Sequence, residues 1–211
     1  MLTTTCVSVG MLESNSYIVK DEATGTLALV DCCSLSKGVR DAIARAGGDL
    51  RYILLTHGHF DHIQGVARAK EAHPAAIVAI SGEDAPYLTG ELDTMPGRVS
   101  CHKRPALPDL ILRDGDAIQL GESVLRVFAT PGHTPGGLCF YSEADKLLFT
   151  GDTLFRGEVG RADLPGGDWP TLEASIRRLY ATLGGSAVLP GHGPASTLDY
   201  ERGHNAWVRE E

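Results

Sequence analysis

The sequence predicts a mixed α/β fold. Short apolar runs of the kind that form buried strands alternate with segments of helical spacing, and this layout recurs in the second half of the chain. Several of the apolar runs lead into a loop that carries His or Asp and is bracketed by Gly or Pro. A chain of 211 residues can bury one sizeable core, so we expect a single domain over residues 1–211.

The first half of the chain predicts strands and helices in alternation. Helical spacing places Val39, Ile43 and Ala46 on one face, and two glycines stop that segment. We expect strands over residues 26–30, 52–55 and 77–80, helices over residues 34–47 and 62–72, and a long Gly- and Pro-containing loop over residues 88–108.

The second half predicts five strands and then one long helix. Apolar residues recur at helical spacing from Leu172 to Leu183, Asp168 is a suitable N-cap, and Gly184 follows the last turn. The strands are expected over residues 110–112, 117–120, 124–129, 138–141 and 147–149.

Composition and charge restrict the class of partner. The net charge of −8 argues against nucleic acid or an anionic membrane as the main partner, because both require a basic surface. The apolar runs fall short of the ~20 residues of a membrane span. The N-terminal residues do not resemble a signal peptide, so we expect a cytoplasmic protein. Five cysteines without a framework spacing also favour a reducing compartment.

The segment Thr56–Gly65 carries four potential metal ligands within six residues: His57, His59, Asp61 and His62. It follows an apolar run, and a strand that ends in a tight loop can aim several side chains at one point. An i, i+2 pair such as His57 and His59 presents both imidazoles on the same side of an extended segment. A chance cluster on a surface loop is disfavoured, because the whole chain has only eight His.

Three further loops place one His or Asp each at the exit of a short apolar strand. Gly or Pro brackets each residue, which permits sharp turns and stiffens the loop. Four loops with the same strand-to-loop arrangement indicate one site assembled from all of them. The three additional residues are His133, Asp152 and His192.

These motifs resemble those of the metallo-β-lactamase superfamily and, within it, the glyoxalase II-like hydrolases, over essentially the whole chain. The resemblance implies an αβ/βα four-layer sandwich of two mixed β-sheets flanked by helices. It rests on residues 12–17, 56–62, 131–136, 151–155 and 190–194, and residues 157–168 and 196–205 resemble a short bacterial branch.

The resemblance also implies a dinuclear metal site. Imidazole and carboxylate ligands without cysteine suit zinc, iron or manganese more than a structural zinc finger, and two zinc ions are the first expectation. By resemblance, one metal would be held by His57, His59 and His133 and the second by Asp61, His62 and His192, with Asp152 bridging.

The implied reaction is hydrolysis of a small-molecule thioester such as S-hydroxyacylglutathione. A hydroxide that bridges the two metals would attack the carbonyl, and the metals would stabilise the developing oxyanion. The thiolate departs as a weakly basic group and requires no dedicated acid. Asp61, besides being a ligand, would be the catalytic residue that steers the proton of the hydroxide.

Further residues are candidates for supporting the metals or contacting substrate. By resemblance, Asp31 lies near the floor of the site. Cys33 belongs to the pair Cys32-Cys33, where the family commonly has Pro-Gly, and both simple packing and contact with a sulfur substrate are open. Arg161 and Asp163 are expected to form an ion pair that braces their loop, with substrate contact as the alternative.

Arg156 and Arg202 are weaker candidates for substrate contact. His73 and His102 lie outside the motifs, which favours surface or packing roles.

Other readings of the site stay open. Longer glyoxalase II enzymes carry a C-terminal extension that contacts glutathione, whereas this chain ends about twenty residues after His192, so other esters and thioesters are possible. A persulfide dioxygenase of the same fold would use one iron on His57, His133 and Asp152, and a non-catalytic metal-binding module is a third possibility. The full second set of ligands favours two metals and hydrolysis. The sequence predicts no particular oligomeric state.

Overall fold

The computed structural model describes residues 1–92 and 105–210, which form two six-stranded sheets. The first sheet contains, in spatial order, β1 (Leu2–Val9), β2 (Ser14–Asp21), β3 (Thr26–Val30), β4 (Asp49–Leu54), β5 (Ile77–Ser81) and β6 (Leu110–Leu112). The second contains, from one edge, β7 (Ala117–Leu120), β8 (Ser123–Ala129), β9 (Leu138–Ser142), β10 (Leu147–Gly151), β11 (Ala187–Pro190) and β12 (Ser196–Thr197).

Both sheets are mixed. Strands β1 to β3 pair antiparallel and β3 to β6 pair parallel. In the second sheet β7 to β10 pair antiparallel, β10 and β11 pair parallel, and β12 is antiparallel to β11. The helices of the described residues are α1 (Lys37–Ala46), α2 (Phe60–Ile63), α3 (Val66–Ala72), α4 (Ala85–Thr89), α5 (Trp169–Thr182) and α6 (Leu198–His204).

Central strands of the first sheet, such as β3 and β5, are apolar on both faces, and this produces the layered core. In β3, Leu27 and Leu29 pack with the first-half helices, whereas Ala28 and Val30 pack with the second sheet. Phe140 of β9 is fully buried in the same central cluster. Burying a side chain of this kind contributes about 1.5–3 kcal/mol relative to exposure.

Helices cover the outer face of each sheet. Val39 of α1 and Val66 of α3 pack on the first sheet, and Ile176 and Leu179 of α5 pack on the second. The layers therefore run helix, sheet, sheet, helix, which confirms the predicted four-layer fold class.

The start of the first helix differs from the prediction, whereas the start of α5 agrees with it. The hydroxyl of Ser36 accepts a hydrogen bond from the backbone of Val39 at 3.3 Å, so the first helix begins at Lys37 and not at residue 34. Asp168 caps α5 as predicted, because its carboxylate accepts the backbone N–H of Thr171 at 3.0 Å.

The helix predicted over residues 62–72 is divided into α2 and α3. The backbone N–H of Gly65 donates to the carbonyl of Cys32 at 2.8 Å instead of continuing the helical ladder. A Cβ on Gly65 would also lie 2.7 Å from the sulfur of Cys32. Packing against a distant segment therefore interrupts this helix.

The long loop predicted over residues 88–108 is described in part. Residues 88 and 89 belong to α4 and residues 105–108 are irregular, while residues 93–104, with Cys101 and His102, lie outside the described residues. Within the described ranges, each helix is too short or too polar to cross a membrane.

Candidate metal centre

Loops from both sheets bring the seven predicted ligand residues to one place. The loop after β4 and the adjoining α2 carry four of them, and the loops after β8, β10 and β11 carry one each. In chain order they are His57, His59, Asp61, His62, His133, Asp152 and His192.

Three histidines form the first half of the centre. The ligand atoms of His57, His59 and His133 all lie within 4.8 Å of one another, and each side chain is at most 6% exposed. This group is the three-histidine cluster. Three converging imidazoles are a ligand set that catalytic zinc accepts, with a fourth position left for water or substrate.

Asp61, His62 and His192 form the second half, the mixed cluster. Their ligand atoms also lie within 4.8 Å of one another. Nε2 of His192 is 3.2 Å from Nε2 of His62 and 3.3 Å from Oδ2 of Asp61. A carboxylate and two imidazoles again suit a first-row divalent ion.

Asp152 lies between the two clusters. Its Oδ2 is 3.5 Å from Nε2 of His133 in the three-histidine cluster and 3.5 Å from Nε2 of His192 in the mixed cluster. Its Oδ1 is 3.3 Å from Nε2 of His62. One carboxylate therefore reaches both groups, and the two clusters are compatible with a dinuclear site.

Outer hydrogen bonds turn four imidazoles so that Nε2 faces the centre. Nδ1 of His133 donates to the carbonyl of Arg161 at 2.7 Å, and Nδ1 of His192 donates to that of Leu12 at 2.9 Å. Nδ1 of His62 lies 2.8 Å from Asp31. Nδ1 of His57 lies 3.0 Å from the hydroxyl of Thr56. Metal-binding histidines are commonly oriented in this way.

Three polar atoms that face the centre are buried without a hydrogen-bond partner among the described residues, as expected for atoms that bind a metal. They are Nε2 of His57, Nε2 of His133 and Oδ1 of Asp152. Leaving a buried polar group unsatisfied costs about 1–3 kcal/mol. Coordinated divalent ions would satisfy all three atoms, so the donor set fits the implied metals.

The electrostatics of the centre keep the carboxylates ionised. Burial raises the pKa of Asp61, but a hydrogen bond from His192 and the charge of His62 outweigh it and lower the pKa to about 2. Burial and the neighbouring His133 lower the pKa of His59 to about 3. The ionised carboxylates and the neutral imidazole of His59 are the protonation states that a cation requires. Burial lowers the pKa of His62 and of His192, but the neighbouring carboxylates outweigh it and raise the pKa of His62 to about 9 and that of His192 to about 10, so these two imidazoles would release a proton on binding a metal.

Asp31 braces the centre from behind. Its carboxylate accepts the backbone N–H and the hydroxyl of Thr56, both at 2.8 Å, and it lies 2.8 Å from Nδ1 of His62. Asp31 and His62 also form a compact group with His57. Because both oxygens of Asp31 already have donors, we interpret it as a support for the ligands. Its φ of 55° is uncommon for a residue other than glycine and marks local strain.

Two supporting residues were not predicted from the sequence. Ser14 donates its hydroxyl to Oδ2 of Asp61 at 2.9 Å. Asp84 occupies the N-cap position of α4, but its side chain makes no capping hydrogen bond. It is fully buried and accepts hydrogen bonds from residues beside His57 and His133. Asp84 follows the exit of β5 within Gly82-Glu83-Asp84. The strand-to-loop pattern that identified the other loops is the signal that could have found it.

A close backbone approach fixes Gly191 beside the ligands. A Cβ at this position would overlap Oδ1 of Asp152 and lie 2.8 Å from Cε1 of His62. Only glycine lets the loop after β11 pass this close to the centre.

A cleft of about 380 Å³ opens above the two clusters. Ligand-type side chains form its floor and apolar side chains form much of its wall, with one guanidinium among them. The lining residues of the wall are Leu12, Phe60, Phe155, Val159, Arg161 and Leu164.

Arg161 combines a wall position with a contact to a ligand. Its Nε and Nη2 donate to the two oxygens of Asp163, both at 2.7 Å, so the expected ion pair is present. Its carbonyl is the group that orients His133. Asp163 is exposed and raises the pKa of the Arg161 guanidinium further above its usual value.

The paired cysteines pack below the centre. Cys33 is 4% exposed, and its thiol donates to the carbonyl of Asn15 at 3.6 Å. Burial and the charge of Asp31 raise the pKa of Cys32 to about 12 and raise that of Cys33 well above its usual value. Both thiols therefore stay protonated at neutral pH, and neither lines the cleft.

The weaker candidates lie elsewhere. The guanidinium of Arg156 stands 6.0 Å from the ring of Tyr200, and Arg202 pairs with Glu210 at 3.4 Å. His73 is half-buried at the C-terminal end of α3.

Comparison with known proteins gives a family match over most of the chain. Residues 9–192 match the model of the metallo-beta-lactamase superfamily. The hydroxyacylglutathione hydrolase GloC of Haemophilus influenzae is 30% identical over 97% of this chain and 97% of its own length.

Two solved structures resemble the whole fold. The BLEG-1 B3 metallo-beta-lactamase has a TM-score of 0.86 and 28% identity, with 100% of both chains covered. TTHA1623 in a di-iron-bound form has a TM-score of 0.85 and 35% identity, covering 97% of this chain and 100% of its own.

Proposed function

Because the chain belongs to the metallo-beta-lactamase superfamily, we propose that it is a dinuclear metallohydrolase that cleaves thioesters such as S-hydroxyacylglutathione. The observation that carries this proposal is the position of Asp152 between two complete clusters of ligand-type side chains. A site with one metal would need only one of these clusters.

The three-histidine cluster would hold one metal and the mixed cluster the other, and Asp152 would be shared between them. Two divalent ions bound there would polarise a substrate carbonyl and lower the pKa of an attacking water. Zinc is the expected metal, because imidazole and carboxylate are its usual ligands in hydrolases. Iron is an alternative supported by the di-iron form of the similar protein TTHA1623.

The side chains of the cleft then have separate tasks. Asp61 is ionised at neutral pH and lies on the floor of the cleft, where its carboxylate would accept a hydrogen bond from the attacking water and steer its proton. Ser14 donates a hydrogen bond to Oδ2 of Asp61, which leaves Oδ1 to contact the attacking water. Leu12 and Phe155 on the wall would pack against the acyl or thiol part of the substrate and exclude water.

The side chains of the cleft favour a thioester as the substrate, because its leaving group needs no proton donor. Arg161 is already engaged by Asp163, and its raised pKa makes it a poor proton donor. A thiolate leaves as a weakly basic anion and needs no such donor, whereas an alkoxide does. The similarity to GloC supports a hydroxyacyl thioester of glutathione as the first substrate to test.

The decisive experiment is steady-state hydrolysis of S-lactoylglutathione by protein of measured metal content. We expect turnover that scales with two metals per chain, is lost in Asp152→Asn and is kept in the matched control His73→Gln. Two bound metals without turnover would overturn the glutathione thioester and direct the search to other esters. One iron with oxygen uptake on glutathione persulfide would overturn hydrolysis in favour of a dioxygenase.

A further inference from the structure

Asp84 is a fully buried carboxylate that faces three hydrogen-bond donors. Its Oδ2 accepts the backbone N–H of Gly58 at 2.8 Å and the hydroxyl of Thr134 at 2.7 Å. Its Oδ1 accepts the backbone N–H of Gly136 at 2.8 Å. Burying a charged group is costly unless every lone pair that faces the protein is used, and here each oxygen has a donor.

The donors belong to the two loops that carry the three-histidine cluster. Gly58 stands between His57 and His59, and Thr134 follows His133 directly. The loop of Gly58 extends from the first sheet and the loop of Thr134 from the second. Asp84 therefore ties together, across the junction of the sheets, the backbone on both sides of this cluster.

The space around Asp84 is closely fitted. A Cβ on Gly136 would overlap the hydroxyl of Ser81 and lie 2.6 Å from Oδ1 of Asp84. A Cβ on Gly58 would lie 2.7 Å from the Cβ of Tyr87. Neither loop has room for a side chain where it packs against the segment of Asp84, so the loss of a hydrogen bond to the carboxylate is expected to shift the loop that donated it.

We propose that Asp84 is a positioning residue that sets the metal affinity of the three-histidine cluster, as a counterpart to Asp31, which contacts His62 of the mixed cluster. The inference rests on the dinuclear site proposed above but not on the identity of the substrate. Groups that orient metal ligands typically change metal affinity by 10- to 100-fold when they are replaced.

The substitution Asp84→Asn tests this with little change in volume. Asparagine has one acceptor oxygen, so the N–H of either Gly58 or Gly136 must face the new NH₂ group. We expect Co²⁺ or Zn²⁺, titrated against a chromophoric chelator, to bind in two steps to the wild type. In Asp84→Asn we expect the metal affinity of the three-histidine cluster to fall 10- to 100-fold. The metal affinity of the mixed cluster should change less than about threefold. His192→Ala identifies the step of the mixed cluster.

Asp21→Asn is the matched control. Asp21 is also fully buried and also accepts three donors, but it lies at the far end of β2 from Ser14, about 23 Å away at ~3.3 Å per residue. We expect both variants to lower the melting temperature of the metal-free protein. Only Asp84→Asn should lower the affinity of a metal-binding step. Equal effects of the two variants on metal affinity would overturn the proposal.

Thr134→Val provides a milder second variant if Asp84→Asn does not fold. It removes one of the three hydrogen bonds and keeps the shape of the side chain, so we expect a smaller weakening of the same step. The inference would be overturned if both Thr134→Val and Asp84→Asn left the metal affinity of the three-histidine cluster unchanged. It would also be overturned if the wild type bound no metal at the three histidines. A wild type that binds two metals but cleaves no thioester would overturn the proposed substrate alone.

Discussion

The hydroxyl of Ser14 donates a hydrogen bond to Oδ2 of Asp61 at 2.9 Å. Ser14 is the first residue of β2 and is almost fully buried, whereas Asp61 lies in α2, 47 positions further along the chain. The hairpin of β1 and β2 thus reaches the mixed cluster and fixes one oxygen of the carboxylate that we assign to orienting the attacking water.

Replacing Ser14 with alanine is expected to reduce kcat by about tenfold, because the carboxylate of Asp61 loses its orienting donor. KM should change little, since Ser14 does not line the cleft. Steady-state kinetics at a measured metal content check this split. Ser8→Ala removes an exposed hydroxyl from the neighbouring strand and should behave as wild type. A rise in KM at constant kcat would contradict the assignment of Asp61.

Phe155 connects the apolar wall of the cleft to the metal centre. Its ring lies 5.9 Å from that of His192 in an edge-on arrangement, and it lines the cleft. We expect Phe155→Ala to raise KM by about tenfold, because the loss of a buried apolar contact costs roughly 1–3 kcal/mol. The metal content should stay at the wild-type value. Val124→Ala, at an exposed apolar position on β8, is the control and should leave KM unchanged.

A substitution at Gly191 tests how strongly activity depends on the exact positions of the ligand side chains. In Gly191→Ala the new methyl group overlaps Oδ1 of Asp152, so this carboxylate or the loop after β11 must shift. A displacement of about 1 Å near the reacting groups can cost 10²-fold in rate. We expect at least that loss in kcat/KM while circular dichroism shows a folded protein. Gly203→Ala, where the added Cβ meets open space, should retain full activity.

Much of the fold and the candidate site could be predicted because their signals are local. His57 and His59 stand two residues apart directly after an apolar strand, and the exits of β8, β10 and β11 carry one His or Asp each. Helix α5 carries its N-cap, Asp168, and its apolar spacing in one continuous segment. These features need no knowledge of distant residues.

The features that the sequence did not reveal depend on distant contacts. Asp84 acquires its donors from residues 26 and 52 positions away, so the strand-to-loop pattern of its own segment could mark it as a candidate but could not show which loops it contacts. The division between α2 and α3 arises because Gly65 bonds to Cys32. Strand β1 is a mostly exposed edge strand, so it lacks the kind of apolar run from which strands such as β3 and β5 were predicted.

The lowered pKa of Asp21 predicts that the protein loses stability as the pH falls below about 4. Hydrogen bonds from the backbone of Glu122 and from the hydroxyls of Thr24 and Ser123 lower its pKa to about 2, despite the opposing effect of burial. The ordinary value in an unfolded chain is about 3.9. Because the folded-state pKa is the lower one, the stabilisation by Asp21 is complete above about pH 4 and is lost as the pH falls toward 2.

We therefore expect Asp21→Asn to be less stable than the wild type at pH 5, with the difference shrinking steadily between pH 4 and pH 2. Urea unfolding followed by circular dichroism across this range measures the difference directly. Asp49→Asn, which alters an exposed carboxylate at the start of β4, should follow the wild type throughout. A difference between Asp21→Asn and wild type that stays constant from pH 5 to pH 2 would show that the charge of Asp21 does not stabilise the fold.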